Sequence, residues 1–208
     1  MSGVQRFWRI IVEELSRLKI YILAALILFG LGIYWGYTSF DLDEILRQMV
    51  NEAFGELGDK IANSENPTLT SVMLIFLNNV RAILFMMVLG IFLAIFPVIS
   101  IWINGVLVAF VLRTEEAAGA SLYDMIFKGL LPHGLLELPV IFIAAGYGIR
   151  LGITVILRIF PGQRSRTQTV GEVLKSGVTL FGFLVILLLF ASLVESTITP
   201  WLLRGESL

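Results

Sequence analysis

Long uncharged apolar runs near residues 20–40, 82–112, 129–157 and 177–203 alternate with short charged stretches along this chain. A bilayer's hydrocarbon core is about 30 Å thick, and about 20 helical residues cross it. The second run holds about thirty residues, some 45 Å of helix, too long for one comfortable crossing. Pro97 sits near its middle, in IFPVIS. Proline removes a backbone donor and clashes with the preceding turn, so it kinks or ends a helix. The run therefore divides into two short helices, about 80–96 and 98–113. The pattern predicts an all-α, polytopic membrane protein of about five hydrophobic helices, forming a single membrane domain over residues 1–208.

Helical spacing also organises the segments between the runs. Val4, Phe7, Trp8, Ile11, Leu15 and Leu18 share one face of an N-terminal arm over 1–19, with Arg6, Arg9, Glu13 and Arg17 elsewhere around the turn. That pattern predicts an amphipathic interfacial helix with its basic face toward anionic headgroups. Over 41–70, Leu42, Ile45, Leu46, Met49, Phe54, Leu57 and Ile61 form a second apolar stripe. Asp41 followed by Glu44 reads as a helix start, and Asn66-Pro67 closes the segment. Such a helix packs on the bilayer surface or, with its acids outward, docks an extracytoplasmic partner.

Charge sets the expected sidedness. Lys and Arg favour the cytoplasmic side of short loops. Arg6, Arg9, Arg17 and Lys19 place the N-terminus inside, and the acid-rich segment 41–65 then lies outside. With the split at Pro97, the basic loop 158–175, holding Arg164 and Arg166, returns to the cytoplasm. The C-terminus is then extracytoplasmic, in a multi-pass protein of the cell membrane. A re-entrant hairpin folding back at Pro97 gives the same sidedness as two spans.

Composition agrees with this class. The chain is 57% hydrophobic and 15% charged with mean hydropathy +0.89, where soluble domains average roughly 45–50% and about 25%. The run at 20–40 lacks a small-x-small exit site and reads as a retained anchor rather than a cleaved signal. The chain has no cysteine, which excludes disulfides and thiolate metal sites, and its single histidine, His133, excludes a His-rich site within one subunit. Nothing in it suits a nucleic-acid partner, a phosphate loop or a nucleophile-base-orienter arrangement.

The ionisable residues inside apolar sequence are where chemistry would lie, since charge at membrane depth is costly. Arg81, His133, Glu137 and Glu195 are expected at similar depths in the outer half of the membrane. His133 and Glu137 are four apart, hence on one helical face. Arg150, in the inner half, is expected to snorkel toward the cytoplasm. Three readings of the cluster stand side by side. It is a set of ion pairs that fixes helix order, a proton or solute relay, or a metal centre in which His133, Glu137 and Glu195 hold a divalent ion such as zinc. Pro132 frees carbonyls near His133, which favours a cavity there over plain lipid contact. Gly32-x-x-x-Gly36 and Gly148-x-x-x-Gly152 read as small-residue faces for close helix contact.

Four stretches together resemble one family: FLNNVRAILFMMVLGIFLAIFP, NGVLVAF, LPHGLLELPVIFIAAGYGIRLG and ASLVESTITP. The chain is similar to the stage II sporulation protein M family of bacterial and archaeal integral membrane proteins. By that resemblance Asn79, Asn104, Gly105, His133, Glu137, Glu195 and Pro200 fall at motif positions. The founding member holds peptidoglycan-degrading partners at the membrane, and some members are encoded near ABC-type transporter components. The resemblance implies a scaffold or transport-associated subunit, more an assembly protein than an enzyme. Partners expected are the bilayer, further copies of the chain through its small-residue faces, and an extracytoplasmic or transporter-component protein. Two alternatives remain open: a channel or carrier using the His/Glu set as a relay, and an intramembrane metal-dependent hydrolase.

Overall fold

In lipid every backbone N–H and C=O has to be satisfied inside its own segment, so apolar runs fold as helices. The computed structural model describes residues 3–41, 43–159 and 168–204, and every regular element among them is helical. The order is α1 (Gly3–Thr38), α2 (Asp43–Val50), a π-helical turn (Asn51–Gly55), α3 (Glu56–Ala62), α4 (Pro67–Leu89) and α5 (Ile95–Ala117). It continues with α6 (Leu122–Asp124), a second π-helical stretch (Met125–Leu130), α7 (Leu131–Ile159) and α8 (Val170–Arg204). Five helices, α1, α4, α5, α7 and α8, are long and apolar enough to cross a membrane, as the hydropathy pattern predicts.

Caps explain several boundaries. The Asn66 side chain accepts a hydrogen bond from the Leu69 N–H at 3.1 Å, and Pro67 follows it at the first turn of α4. Proline is favoured there because its missing donor would have had no partner. At α8 a capping box operates in both directions. The Thr169 N–H donates to Glu172 at 2.7 Å, and the Glu172 N–H donates to the Thr169 hydroxyl at 3.2 Å. In the N-terminal half, α2 runs over Asp43–Val50, next to the Asp41 that reads as its start.

The break in the second apolar run lies just before Pro97. Residues 90–94 form a turn in which Leu93 and Ala94 both have positive φ, 56° and 64°. Pro97 is then the third residue of α5. A proline ring clashes with the carbonyl four residues back, here that of Leu93. The chain has therefore left the helix by that residue, α4 ending at Leu89, and restarts at Ile95 with Pro97 in a tolerated first-turn position. The flanking helices are longer than 80–96 and 98–113: each has 23 residues, about 34 Å, which is enough to cross.

The N-terminal arm differs from the expected separate interfacial helix. It is continuous with the first span through all 36 residues of α1, about 54 Å of helix. One buried stripe runs its whole length: Ile11, Glu14, Leu18, Ala25, Phe29, Gly32 and Gly36. Phe7 and Trp8 meet Phe183 of α8 edge-on, at 6.5 and 5.9 Å between ring centroids. The arm thus packs against the bundle.

Helix α7 is the hub, touching α1, α4, α5 and α8. In its membrane-length portion 72% of positions are buried, against 22–33% in the other four helices. Two crossings are backbone-close. A Cβ on Gly148 would strike the Met86 carbonyl of α4, and one on Gly152 would strike the 90–94 turn. On α1, Gly32 and Gly36 lie against the backbone of Trp102 and Val106, and Gly105 of α5 lies against that of Phe29. Both small-x-x-x-small faces are therefore contact surfaces within one chain.

The close crossing of α7 yields a stability prediction. Gly148→Ala should destabilise by about 1–3 kcal/mol, because its Cβ meets backbone that cannot swing away. Gly30→Ala, with open space around it, should be neutral or slightly stabilising. Unfolding of purified protein by SDS titration in mixed micelles measures both, and equal effects would contradict the crossing.

Candidate functional site

The bundle has a basic end, with Arg17, Lys19, Arg158 and Lys175, and an acidic end, with Asp43, Glu115, Glu116 and Asp124. The sequence-predicted polar set lies toward the acidic end. There Ser121 caps α6, accepting from the Asp124 N–H at 3.4 Å, and Tyr123 stacks on Phe127 at 4.6 Å. The Lys128 ammonium pairs with the Asp124 carboxylate at 2.9 Å and holds its pKa below the usual value. The π-helical stretch ends at Leu130, immediately before α7, whose second residue is Pro132. Pro132 cannot donate to the carbonyl four residues back, and the turn before it is the widened kind that often accompanies such a lost bond.

His133 and Glu137 follow on successive turns of α7, on one face. Glu137 is half-buried. The side chains of His133, Glu195 and Pro200 lie outside the described residues. The level of Glu195 is set by its neighbour: Ser196 of α8 hydrogen-bonds Ser71 of α4 at 3.3 Å. Arg81 is ten residues further along α4, about 15 Å away along the helix axis. It is exposed, on the side of α4 that faces away from the bundle, and makes no ion pair among the described residues. The levels of Arg81 and Glu195 therefore lie about 15 Å apart. Among the described residues no three His, Asp or Glu side chains converge closely enough to hold a metal ion; His133 and Glu195 are not among those described side chains.

The other motif positions have structural work. Asn104 donates from Nδ2 to the Ser100 carbonyl in its own helix at 2.8 Å. Gly105 is one of the points at which the α5 and α1 backbones meet without a side chain between them. Asn79 is half-buried on α4.

Two buried arginines complete the polar geometry. Arg150, expected to snorkel, is 5% exposed instead. Its guanidinium donates to Glu14 of α1 at 2.5 Å and to the Gln168 side chain. Arg17 adds a longer contact to Glu14 at 3.8 Å. One turn away, the Tyr147 hydroxyl donates to the Val173 carbonyl at 2.9 Å. Position 150 thus joins the arm, the central helix and the approach to α8. At the acidic end Arg113 pairs with Asp43, donates to the Ser39 carbonyl at 2.8 Å and lies 4.2 Å over the Phe40 ring. Beside it the Tyr37 hydroxyl donates to Glu116 at 2.7 Å. Glu14 and Arg113 play no part in the sequence reading. Glu14 had a signal: it sits three residues after Ile11 and four before Leu18, on the apolar stripe, where a carboxylate needs a buried partner.

A family model described as stage II sporulation protein M matches residues 25–200. The chain belongs to the stage II sporulation protein M family. No curated protein and no solved structure matches it. The family match spans all five long helices but begins beyond Glu14. The Glu14–Arg150 pair therefore ties a residue outside the matched region to the most buried helix within it.

Removing one partner of a buried ion pair leaves an uncompensated charge, at a cost of about 3–5 kcal/mol. Arg150→Met and Glu14→Leu should each destabilise by that order, and the double variant should recover most of the loss. A double-mutant cycle on unfolding midpoints tests this, and additive losses would show that the two side chains do not act as a pair.

Proposed function

We propose that this multi-pass membrane protein is a non-enzymatic subunit, a scaffold or transport-associated component, with its basic end in the cytoplasm and its C-terminus extracytoplasmic. One observation carries the choice of scaffold over carrier. Between Glu137 and Arg150, α7 runs thirteen residues, about 20 Å, and its buried side chains there are Val140, Ile141, Phe142, Ala144, Ala145, Tyr147 and Ile149. They face Ala25 and Phe29 of α1, Ile83 and Met86 of α4, and Leu180, Leu184 and Leu188 of α8. Proton transfer needs groups within hydrogen-bond reach, directly or through one water. The described side chains provide no such chain across this core. The ionic groups beyond it are held in place: Glu14, Arg150 and Gln168 at one end, Arg113 and Asp43 at the other. Buried, satisfied pairs of this kind fix helix arrangement, which is what a scaffold requires.

The orientation follows from the exposed Arg6, Arg9, Arg17 and Lys19 at the basic end. Because the chain lacks cysteine, single introduced thiols report sidedness cleanly. In intact cells a membrane-impermeant maleimide should label Ala62→Cys and spare Ser16→Cys; the reverse pattern would invert the topology.

Reconstituted vesicles containing the purified chain alone should show no proton leak above protein-free vesicles when a pH gradient is imposed. A leak abolished by Glu137→Gln would overturn the scaffold reading in favour of a relay.

A further inference from the structure

Arg81 is a charge that the fold turns away from every described partner within its own chain. Along α4, Leu77, Asn78, Arg81, Leu84, Phe85 and Val88 are exposed, while Ile83, Met86 and Met87 are buried. The exposed positions recur at three- and four-residue spacing, so they form one stripe on the outer surface of the bundle. Arg81 lies fourteen residues after Pro67 and eight before Leu89, about 21 and 12 Å from the two ends. In a hydrocarbon layer of about 30 Å it is close to the middle. The nearer end offers little relief, since the turn beyond it exposes Ile91, Phe92, Leu93 and then Ile95. Intramembrane charges almost always face a bundle interior or a wet cavity and pair with another group. Among the described residues of a single copy Arg81 meets none of these conditions, whereas Arg113 and Arg150 are both paired within the chain.

The missing partner has a defined chemistry, a carboxylate at nearly the same depth. Two copies meeting α4 to α4 would set Arg81 against Arg81, so the complementary surface is another one. The stretch of α7 around Glu137 fits. Most of α7 is buried, but here the helix reaches the surface, with Leu135 65% and Leu136 36% exposed and Pro139 exposed beside them. Depth agrees as well. Gly148 of α7 sits between the levels of Met86 and Gly90 on α4, and the two helices run in the same direction. Counting back from that contact puts Glu137 about four residues, some 6 Å, from the level of Arg81. A carboxylate accepts from several donors, so contacts that Glu137 makes in its own chain do not exclude a further one.

We propose that the outward face of α4 docks a second copy of this chain inside the bilayer, with Arg81 of one copy paired to Glu137 of the other. The contact joins two different surfaces, so it closes as a dimer or small ring in which every Arg81 and Glu137 is matched. Asn78, one turn from Arg81 on the same stripe, adds a polar group to the contact. The inference is independent of the scaffold reading: a proton flux would overturn that reading and leave this contact standing.

Single-molecule photobleaching of the labelled full-length chain in neutral phospholipid vesicles tests it. Wild type should associate. Arg81→Leu, which suits a lipid-facing position and so preserves the fold, should weaken association about tenfold, the scale of an intramembrane polar contact. Arg81→Glu should do the same, and Arg81→Glu combined with Glu137→Arg should restore association. A wild-type chain that stays single at all densities overturns the proposal. So does association unchanged in Arg81→Leu, or a charge swap that fails to restore it while unfolding as wild type does. An unrelated membrane protein captured through Arg81 by an otherwise monomeric chain also overturns it.

Discussion

Helices in a bilayer gain nothing by hiding leucine from lipid, because lipid tails are as apolar as leucine. What holds this bundle together is the closeness of backbones at a few points on α7 and α1, and everything else is arranged around those points. At Gly148 and Gly152 the central helix lies against α4 and the 90–94 turn without side chains between them. Such approach maximises dispersion contact, and each atom pair gained there has no equivalent in lipid packing. The turn itself depends on the same contact. Leu93 and Ala94 adopt left-handed φ, which costs roughly 1–2 kcal/mol per residue for ordinary side chains. The tight seat against Gly152 offsets that cost, and Pro97 keeps the helix from running straight through.

The polar groups respect the geometry that these contacts set. With the axes fixed by glycine, the arginines at the two ends of the bundle can be placed with their acids already facing them. Arg150 reaches Glu14 and Gln168 together, and Arg113 reaches Asp43 and the Ser39 carbonyl together. Neither pair is expected to add much net stability over a well-packed apolar substitute, since desolvation consumes most of the Coulomb gain. Their effect is on specificity. A helix that slides by one turn loses its buried partner, so each pair penalises wrong registers of α1 against α7 or α5. That division of labour, attraction from close backbones and register from ion pairs, suits a protein whose task is to hold a shape.

The number and type of long helices were legible in the sequence because apolar length is a direct consequence of bilayer thickness. The small-x-x-x-small faces were legible for the same kind of reason, as was the presence of a break near Pro97. Its position was less so, because a proline restricts the residues before it and the helix ends at Leu89, eight residues upstream. The continuity of α1 was hidden by reading Arg9 and Arg17 as interfacial; the stripe Ile11, Glu14, Leu18, Ala25 crosses the supposed boundary without interruption. Arg150 was misread for a related cause. Snorkelling assumes a helix that faces lipid, and which helix lies at the centre follows from tertiary packing, not from hydropathy. At the candidate site, the shared face of His133 and Glu137 follows from spacing alone. The rotational position of Arg81 does not, since α4 is apolar all round and its buried face is set by where Gly148 meets it.

Three arginines in apolar surroundings therefore receive three treatments from one fold. Arg150 and Arg113 lie toward the two ends of the bundle, where a crossing helix or a loop brings an acid and the remaining donors find a further acceptor. Arg81 lies about 12 Å from the nearer end of its helix, where another helix at the same depth has to supply an acid, and no described acid of its own chain pairs with it. A lone surface charge at that depth costs about 2.5–3.5 kcal/mol even on lenient insertion scales, a large fraction of what typically holds a domain folded. Leucine there would remove the cost without disturbing a single described contact. The presence of arginine thus points to a state of the protein in which that position is no longer at the surface.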